Sequence, residues 1–235
     1  MHKKIDEIKK LESPPQIIKN IFSKNEIEKF LDLYQKLPTT VHNKKQNVIK
    51  KRWLKNYSEE LENLFYNKVK NEIGDFKMDN LKDEEKKDIL GLFQESYNPI
   101  GLHVDAGFNS EEIIFKQTLI PLTSKGSTVI FKNKFYGNST NFTIDKNELK
   151  ETNLKYGQNL RSSEHLDIYQ KKPFNKDDHE KYLKHEKIEN LSGVEIDLVY
   201  EWEIGSILIF DRTRLHCSSC LIDGKKIGLT TFTKK

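Results

Sequence analysis

The sequence predicts a mainly β domain with N-terminal helices, an α+β chain carrying one large insertion. Three observations predict it. Apolar residues recur at helical spacing only before about residue 88. From Asp88 onward, short β-branched and aromatic segments alternate with turn-formers. Between Asn138 and Glu195 the chain turns polar, too long a stretch for an ordinary connection. A length of 235 residues suits one well-packed domain. Residues 1–87 are expected to form the helical layer, 88–235 the β core, and 138–195 the insertion within it.

"SKNEIEKFLDLYQKLP" reads as a first helix. Ser23 can cap it, Glu26 completes a capping box, and Pro38 follows its end. Ile27, Phe30, Leu31 and Tyr34 fall on one face. "YSEELENLFYNKVKNEI" reads as a second helix, with Leu61, Leu64, Phe65 and Val69 aligned and Gly74 placed to stop it. "ILGLFQESY", "KQTLIPLT", "STVIFKNKFYG", "GSILIFD" and "KIGLTTFT" read as strands. Within the insertion, "NKDDHEKYLKHEKIEN" is a charged helical stretch, and His165, His179 and His185 are expected to be solvated.

Hydrophobic residues make up 35 % of the chain and charged residues 32 %, so the core is lean. No apolar run approaches the roughly 20 residues that span a bilayer. The charged start "MHKKIDEIKKLESPP" lacks the apolar segment of a secretory signal, so a soluble, cytoplasmic protein is expected. The net charge is +4, but only four residues are arginine and the lysines are spread along the chain. "KNKFYGN" and "KKRWLKNY" interleave bases with aromatics, as a single-strand binder would. Solvated charge around half-buried aromatics is the plainer reading. Cys217 and Cys220 form one C-x-x-C; a structural zinc site needs about two such pairs, so small buried cysteines are expected.

The sharpest chemical signal is His103-Val104-Asp105. On a strand, residues two apart share a face, so an imidazole and a carboxylate can reach one point. A third donor, His216, lies over a hundred residues later, at the end of "GSILIFDRTRLH" and carried there by the strand "SILIF". Two histidines and one carboxylate on one face of an octahedral metal leave three adjacent positions open, the arrangement of non-haem Fe(II) oxygenases. Alone, H-x-D is weak among seven histidines and 36 acids. It gains weight from Gly101 before it, from flanking strands, and from Lys226 ten residues beyond His216.

With those residues in place, the segment 88–235 resembles the Fe(II)/2-oxoglutarate-dependent dioxygenases, in particular the phytanoyl-hydroxylase-like and prolyl-hydroxylase-like branches and small phage or marine-bacterial members. The matching pattern is His103-Val104-Asp105, then His216, then Lys226 with Gly228 two beyond. The resemblance implies a double-stranded β-helix, or jelly roll, that binds Fe2+ through His103, Asp105 and His216. It implies 2-oxoglutarate and O2 as co-substrates, hydroxylation of a second substrate, and release of succinate and CO2. Lysine stands where many members have arginine, a point charge in place of a bidentate grip. The C5 carboxylate of 2-oxoglutarate is assigned to Lys226, with Lys225 and Lys116 as alternatives. Gln94, Ser96 and Thr230 are candidate co-substrate contacts. Arg212 and Arg214 are candidates to clamp an anionic substrate or to form plain ion pairs. Asp105 favours hydroxylation over halogenation, since related halogenases have a small residue there.

A cupin-like metal barrel without 2-oxoglutarate chemistry is the alternative within the same architecture. A non-catalytic module binding nucleic acid or protein is the alternative outside it, and would show salt-dependent binding without metal. A small-molecule substrate is expected, with nucleic acid and protein left open. The insertion is expected to select it as a lid. Fold analogy does not supply its identity.

Overall fold

The computed structural model describes residues 4–43, 47–79, 81–82, 85–105, 112–136, 141–143, 158–160 and 172–235. Its strands are β1 (Gln16–Ile18), β2 (Thr39–Asn43), β3 (Val48–Leu54), β4 (Lys77–Met78), β5 (Leu81–Lys82), β6 (Asp88–Ser96), β7 (Ile114–Pro121), β8 (Ser127–Lys134), β9 (Asn141–Thr143), β10 (Gln158–Leu160), β11 (Ile196–Glu201), β12 (Ile207–Asp211), β13 (Arg214–Ser218) and β14 (Lys226–Lys234). The helices are α1 (Ile5–Lys10), α2 (Lys24–Lys36), α3 (Glu59–Ile73) and α4 (Lys176–Tyr182), with a 3-10 turn at Ile188–Leu191.

One sheet runs β1-β12-β7-β14-β6-β3-β2, with β4 joined to β14 and β5 to β6; a second runs β11-β8-β13. The consecutive strands β7 and β8 lie in different sheets, as do β12 and β13. This alternation between two facing sheets is the jelly roll. Leu119, Leu208 and Phe210 from the large sheet meet Ile130, Tyr200 and Trp202 from the small-sheet side in one buried cluster. The roll is therefore a packed sandwich with a core of its own.

Helices α2 and α3 cover the outer face of the large sheet. Phe30 of α2 and Phe65 of α3 meet Trp53 edge-on, with ring centroids 5.9 and 6.1 Å apart. Such contacts fix ring geometry beyond simple area burial. The Ser23 capping box is formed: its hydroxyl accepts from the Glu26 N–H, and the Glu26 carboxylate accepts from the Ser23 N–H. Gly74 ends α3 at φ +72°, in the left-handed region. No helix among the described residues is long and apolar enough to cross a membrane.

The structure departs from the sequence reading in three places. The segment 1–87 is more than a helical layer: β1, β2 and β3 extend the large sheet, and "KKRWLKNY" supplies part of β3. Trp53 points into the helix-covered core and is fully buried, so it offers no stacking platform. His216 sits on its own strand, β13, which pairs with β8 across the sandwich from β12. Third, the described part of the insertion, 172–195, packs against the small sheet, burying Phe174, Leu183, Leu191 and Val194 beside Val129, Leu215 and Cys217. Most of the remaining insertion, including His165, lies outside the described residues, and so does any test of it as a lid.

Candidate metal centre

His103 and His216 are locked opposite each other by two backbone hydrogen bonds, His103 N–H to the His216 carbonyl and the reverse, each 2.9 Å. Directly opposed residues in an antiparallel pair project to the same face. Their rings accordingly lie 4.1 Å apart between centroids. Asp105 shares that side, with Oδ2 3.2 Å from His216 Nε2 and 3.8 Å from His103 Nε2. Val104, between them, points the other way and is fully buried. One donor atom from each of the three residues lies within 4.8 Å of the others. Among the described residues no other group of His, Cys, Asp and Glu forms such a cluster; Cys217 and Cys220 are free thiols outside it.

The surroundings prepare these donors. His103 Nδ1 lies 2.8 Å from the Gly101 carbonyl and His216 Nδ1 3.0 Å from the Arg214 carbonyl. A carbonyl only accepts, so each Nδ1 donates to its carbonyl, and Nε2 is the nitrogen turned toward Asp105. Burial, followed by repulsion from His216, pushes the His103 imidazole down to about 4, so it is neutral. Burial alone would raise the Asp105 carboxyl. The two imidazoles and a 2.8 Å hydrogen bond from Gln117 Nε2 outweigh it and hold the group below the usual carboxylate range. Arg212 Nε donates to the Asp105 carbonyl at 3.3 Å, holding the backbone behind that carboxylate.

Lys226 opens the final strand and is 3 % exposed. Its Nζ donates to the Ser127 carbonyl (3.2 Å) and Ser218 Oγ (3.1 Å) and rests 4.2 Å from the centre of the Trp202 ring. Ser218 is two residues after His216 on the same face, about 6.6 Å along the strand. Burial pushes the Lys226 amine down to about 7, and no carboxylate among the described residues offsets it. Gly228 makes room for the Trp202 wall: a Cβ there would meet Trp202 Cη2 at 2.7 Å.

No protein-family model matches the chain, and no curated protein matches its sequence. Similar solved structures include a 2OG-Fe(II) oxygenase family oxidoreductase from Burkholderia pseudomallei, 11 % identical over 98 % of this chain and 89 % of that one, TM-score 0.50. HygX from Streptomyces hygroscopicus, with nickel and 2-oxoglutarate bound, is 10 % identical over 100 % of this chain and 87 % of its own, TM-score 0.51. EctD from S. alaskensis, with 2-oxoglutarate and 5-hydroxyectoine, is 11 % identical over 100 % and 76 %, TM-score 0.50. The fold is that of the 2OG-Fe(II) oxygenases.

Within this jelly roll the remaining candidates sort by strand face. Ser96 pairs in register with Lys226, Gln94 with Gly228, and Thr230 with Leu92 and Leu119, so all three share the face that holds Lys226 and Trp202. Lys225 points the opposite way, half exposed, 3.8 Å from Glu95. Lys116 also lies off the site: its Nζ is buried against Asp211, Ser13 Oγ and the Leu11 carbonyl. The next residue, Gln117, is the one aimed at Asp105.

Arg212 and Arg214 form the plain ion pairs that are the alternative to a substrate clamp. Arg212 is fully buried and bonds Asp79 at 2.6 Å; Arg214 pairs with Asp197 and donates to the Phe131 carbonyl. His179 and His185 are not solvated either. His179 Nε2 holds the Glu186 carbonyl at 2.9 Å, and burial pushes His185 down to about 4. Gln117 and Lys50 were missed. Gln117 shares a face with Leu119, but β7 is buried at every position, so no alternation in the sequence marks that face as the inward one. Lys50, in register with Gln94, adds positive charge toward His103, and nothing in its local sequence marks it.

Proposed function

We propose that the protein is a non-haem Fe(II)- and 2-oxoglutarate-dependent oxygenase that hydroxylates a small-molecule substrate. The observation that carries this reading is one jelly-roll interior holding three convergent donors and a buried lysine with no carboxylate partner among the described residues. His103, Asp105 and His216 would hold Fe(II) on one face and leave adjacent positions open. Their fit to the metal rests on the donor set: two imidazoles whose Nδ1 faces a backbone carbonyl, which leaves Nε2 as the nitrogen to bind metal, and an ionised carboxylate steadied by Gln117. Lys226 would pair with the C5 carboxylate of 2-oxoglutarate, an anion that offsets the cost of burying the ammonium.

When bound, Fe(II) with 2-oxoglutarate and O2 supplies the oxidising equivalent, leaving succinate and CO2. The chain's own contribution is orientation and exclusion of water. Trp202, anchored by its indole N–H to Thr128 Oγ1 at 2.9 Å, walls off Lys226 from solvent. Gln94, Ser96 and Thr230 line the same face. Asp105 keeps a carboxylate where a halide would otherwise bind, which favours hydroxylation. A small substrate is supported by EctD, whose structure holds 5-hydroxyectoine.

The test is an anaerobic titration of metal-free protein with Fe(II), then 2-oxoglutarate. The expected result is a weak visible charge-transfer band that needs both additions and disappears in His103→Ala. Fe(II) binding without the band would indicate a metal barrel of another kind. Binding of oligonucleotides without metal would point to a non-catalytic module.

A further inference from the structure

We infer that Glu186, from the polar insertion, is a positioning residue for the metal centre: its carboxylate holds the Gly101–Leu102 backbone from which His103 projects. The inference rests on the metal-binding reading above and names a determinant of it outside the jelly roll. Glu186 Oε1 accepts the Leu102 N–H at 2.5 Å, one residue before His103. Gly101 leaves space for that contact, because a Cβ there would lie 2.9 Å from the same oxygen. Leu102 is not in a strand, so the sheet ladder does not secure this N–H. A carboxylate accepting from a backbone N–H is a charge-assisted bond, stronger than a neutral one.

The opposite arm is tied to the same short segment. The Cys220 N–H donates to the Tyr182 carbonyl at 2.7 Å, three residues after His216's neighbour Cys217. The Ser218 N–H donates to the Ile100 carbonyl at 3.0 Å, joining the two arms directly. Residues 182–186 thus touch the chain just before His103 and just after His216. The segment is itself held in shape. Asn175 caps α4 through Asp178 N–H, Leu183 is fully buried beside Leu102 and Leu215, and His179 Nε2 donates to the Glu186 carbonyl. The geometry makes this part of the insertion a strut behind the ligands.

Co(II) titration of the full chain tests this, read by visible d–d absorption with melting temperature recorded alongside. Glu186→Ala is expected to weaken Co(II) binding by about tenfold or more, the range for supporting partners of metal ligands. Glu186→Gln, which keeps an acceptor oxygen but not the charge, is expected to lose clearly less binding than Glu186→Ala and to keep the wild-type band shape. Gly101→Ala, which displaces the carboxylate, is expected to resemble Glu186→Ala. Wild-type binding in folded Glu186→Ala would overturn the inference, as would equal loss in Ala and Gln variants. If Glu186→Ala does not fold, Gly101→Ala decides: normal binding there overturns the inference, weakened binding supports it. Co(II) binding unchanged in His103→Ala would instead overturn the metal-site reading itself.

Discussion

At the residue scale, three lysines compete for one role, and side-chain direction separates them. Lys226 faces the sandwich interior, while Lys116 and Lys225 face away. Lys226→Ala should weaken 2-oxoglutarate binding to the Mn(II)-loaded protein roughly hundredfold or more, as loss of a buried charge partner does. Lys116→Ala should leave that affinity unchanged but cost roughly 3 kcal/mol in a denaturant melt, because Asp211 stays buried. The depressed Lys226 amine also sets a pH dependence. Above about 7 the ligand-free lysine is neutral, and a bound anion raises it again. Affinity for 2-oxoglutarate should therefore fall as pH rises through about 7. The ligand-free fold should gain stability over the same window, since the unfolded lysine still binds a proton there. Calorimetric titration at about pH 6.5 and about pH 8.5 checks the first statement.

At the element scale, parity along a strand decides what reaches the site. Strand β7 is buried at every position, so its pattern does not reveal which residues look inward. Its register with β12 and β14 settles the matter, sending Gln117 to Asp105 and Lys116 to Asp211. Strand β14 needs Gly228 for the same reason of close approach. Gly228→Ala should lower thermal stability by about 1–3 kcal/mol through overpacking against Trp202. It should also alter Trp202 fluorescence, which distinguishes a moved wall from general loosening. Helix α2 depends on a local device instead. Ser23→Ala should cost about 1 kcal/mol in the same melt and leave metal binding untouched.

At the scale of the whole molecule, buried ion pairs connect parts that the chain order separates. Arg212 joins the turn after β12 to Asp79 beside β4, to the Thr233 carbonyl of β14 and to the Asp105 carbonyl. Arg212→Ala should destabilise the protein by about 3 kcal/mol, because Asp79 would remain buried with only Lys234, 3.9 Å away, as a charge partner. In variant protein that stays folded, Co(II) affinity should fall as well, since Asp105 loses its backbone support. Equilibrium unfolding followed by Co(II) titration reads both effects.

The amino-acid sequence by itself determined the helices α2 and α3, the main strands of the roll, and the metal-donor candidates. Each is written in local periodicity, capping chemistry or residue type, which need no distant partner to be read. His103-Val104-Asp105 is legible because two-residue spacing already implies a shared face. Tertiary structure alone decided the rest: β1, β2 and β3 as members of the large sheet, β13 as the carrier of His216, and the inward face of β7. It also decided the contacts of Gln117, Glu186 and Arg212, whose partners lie 12, 84 and 133 residues away in sequence. Such pairings come from strand register and closure of the sandwich, and no local pattern records which distant backbone a side chain will meet.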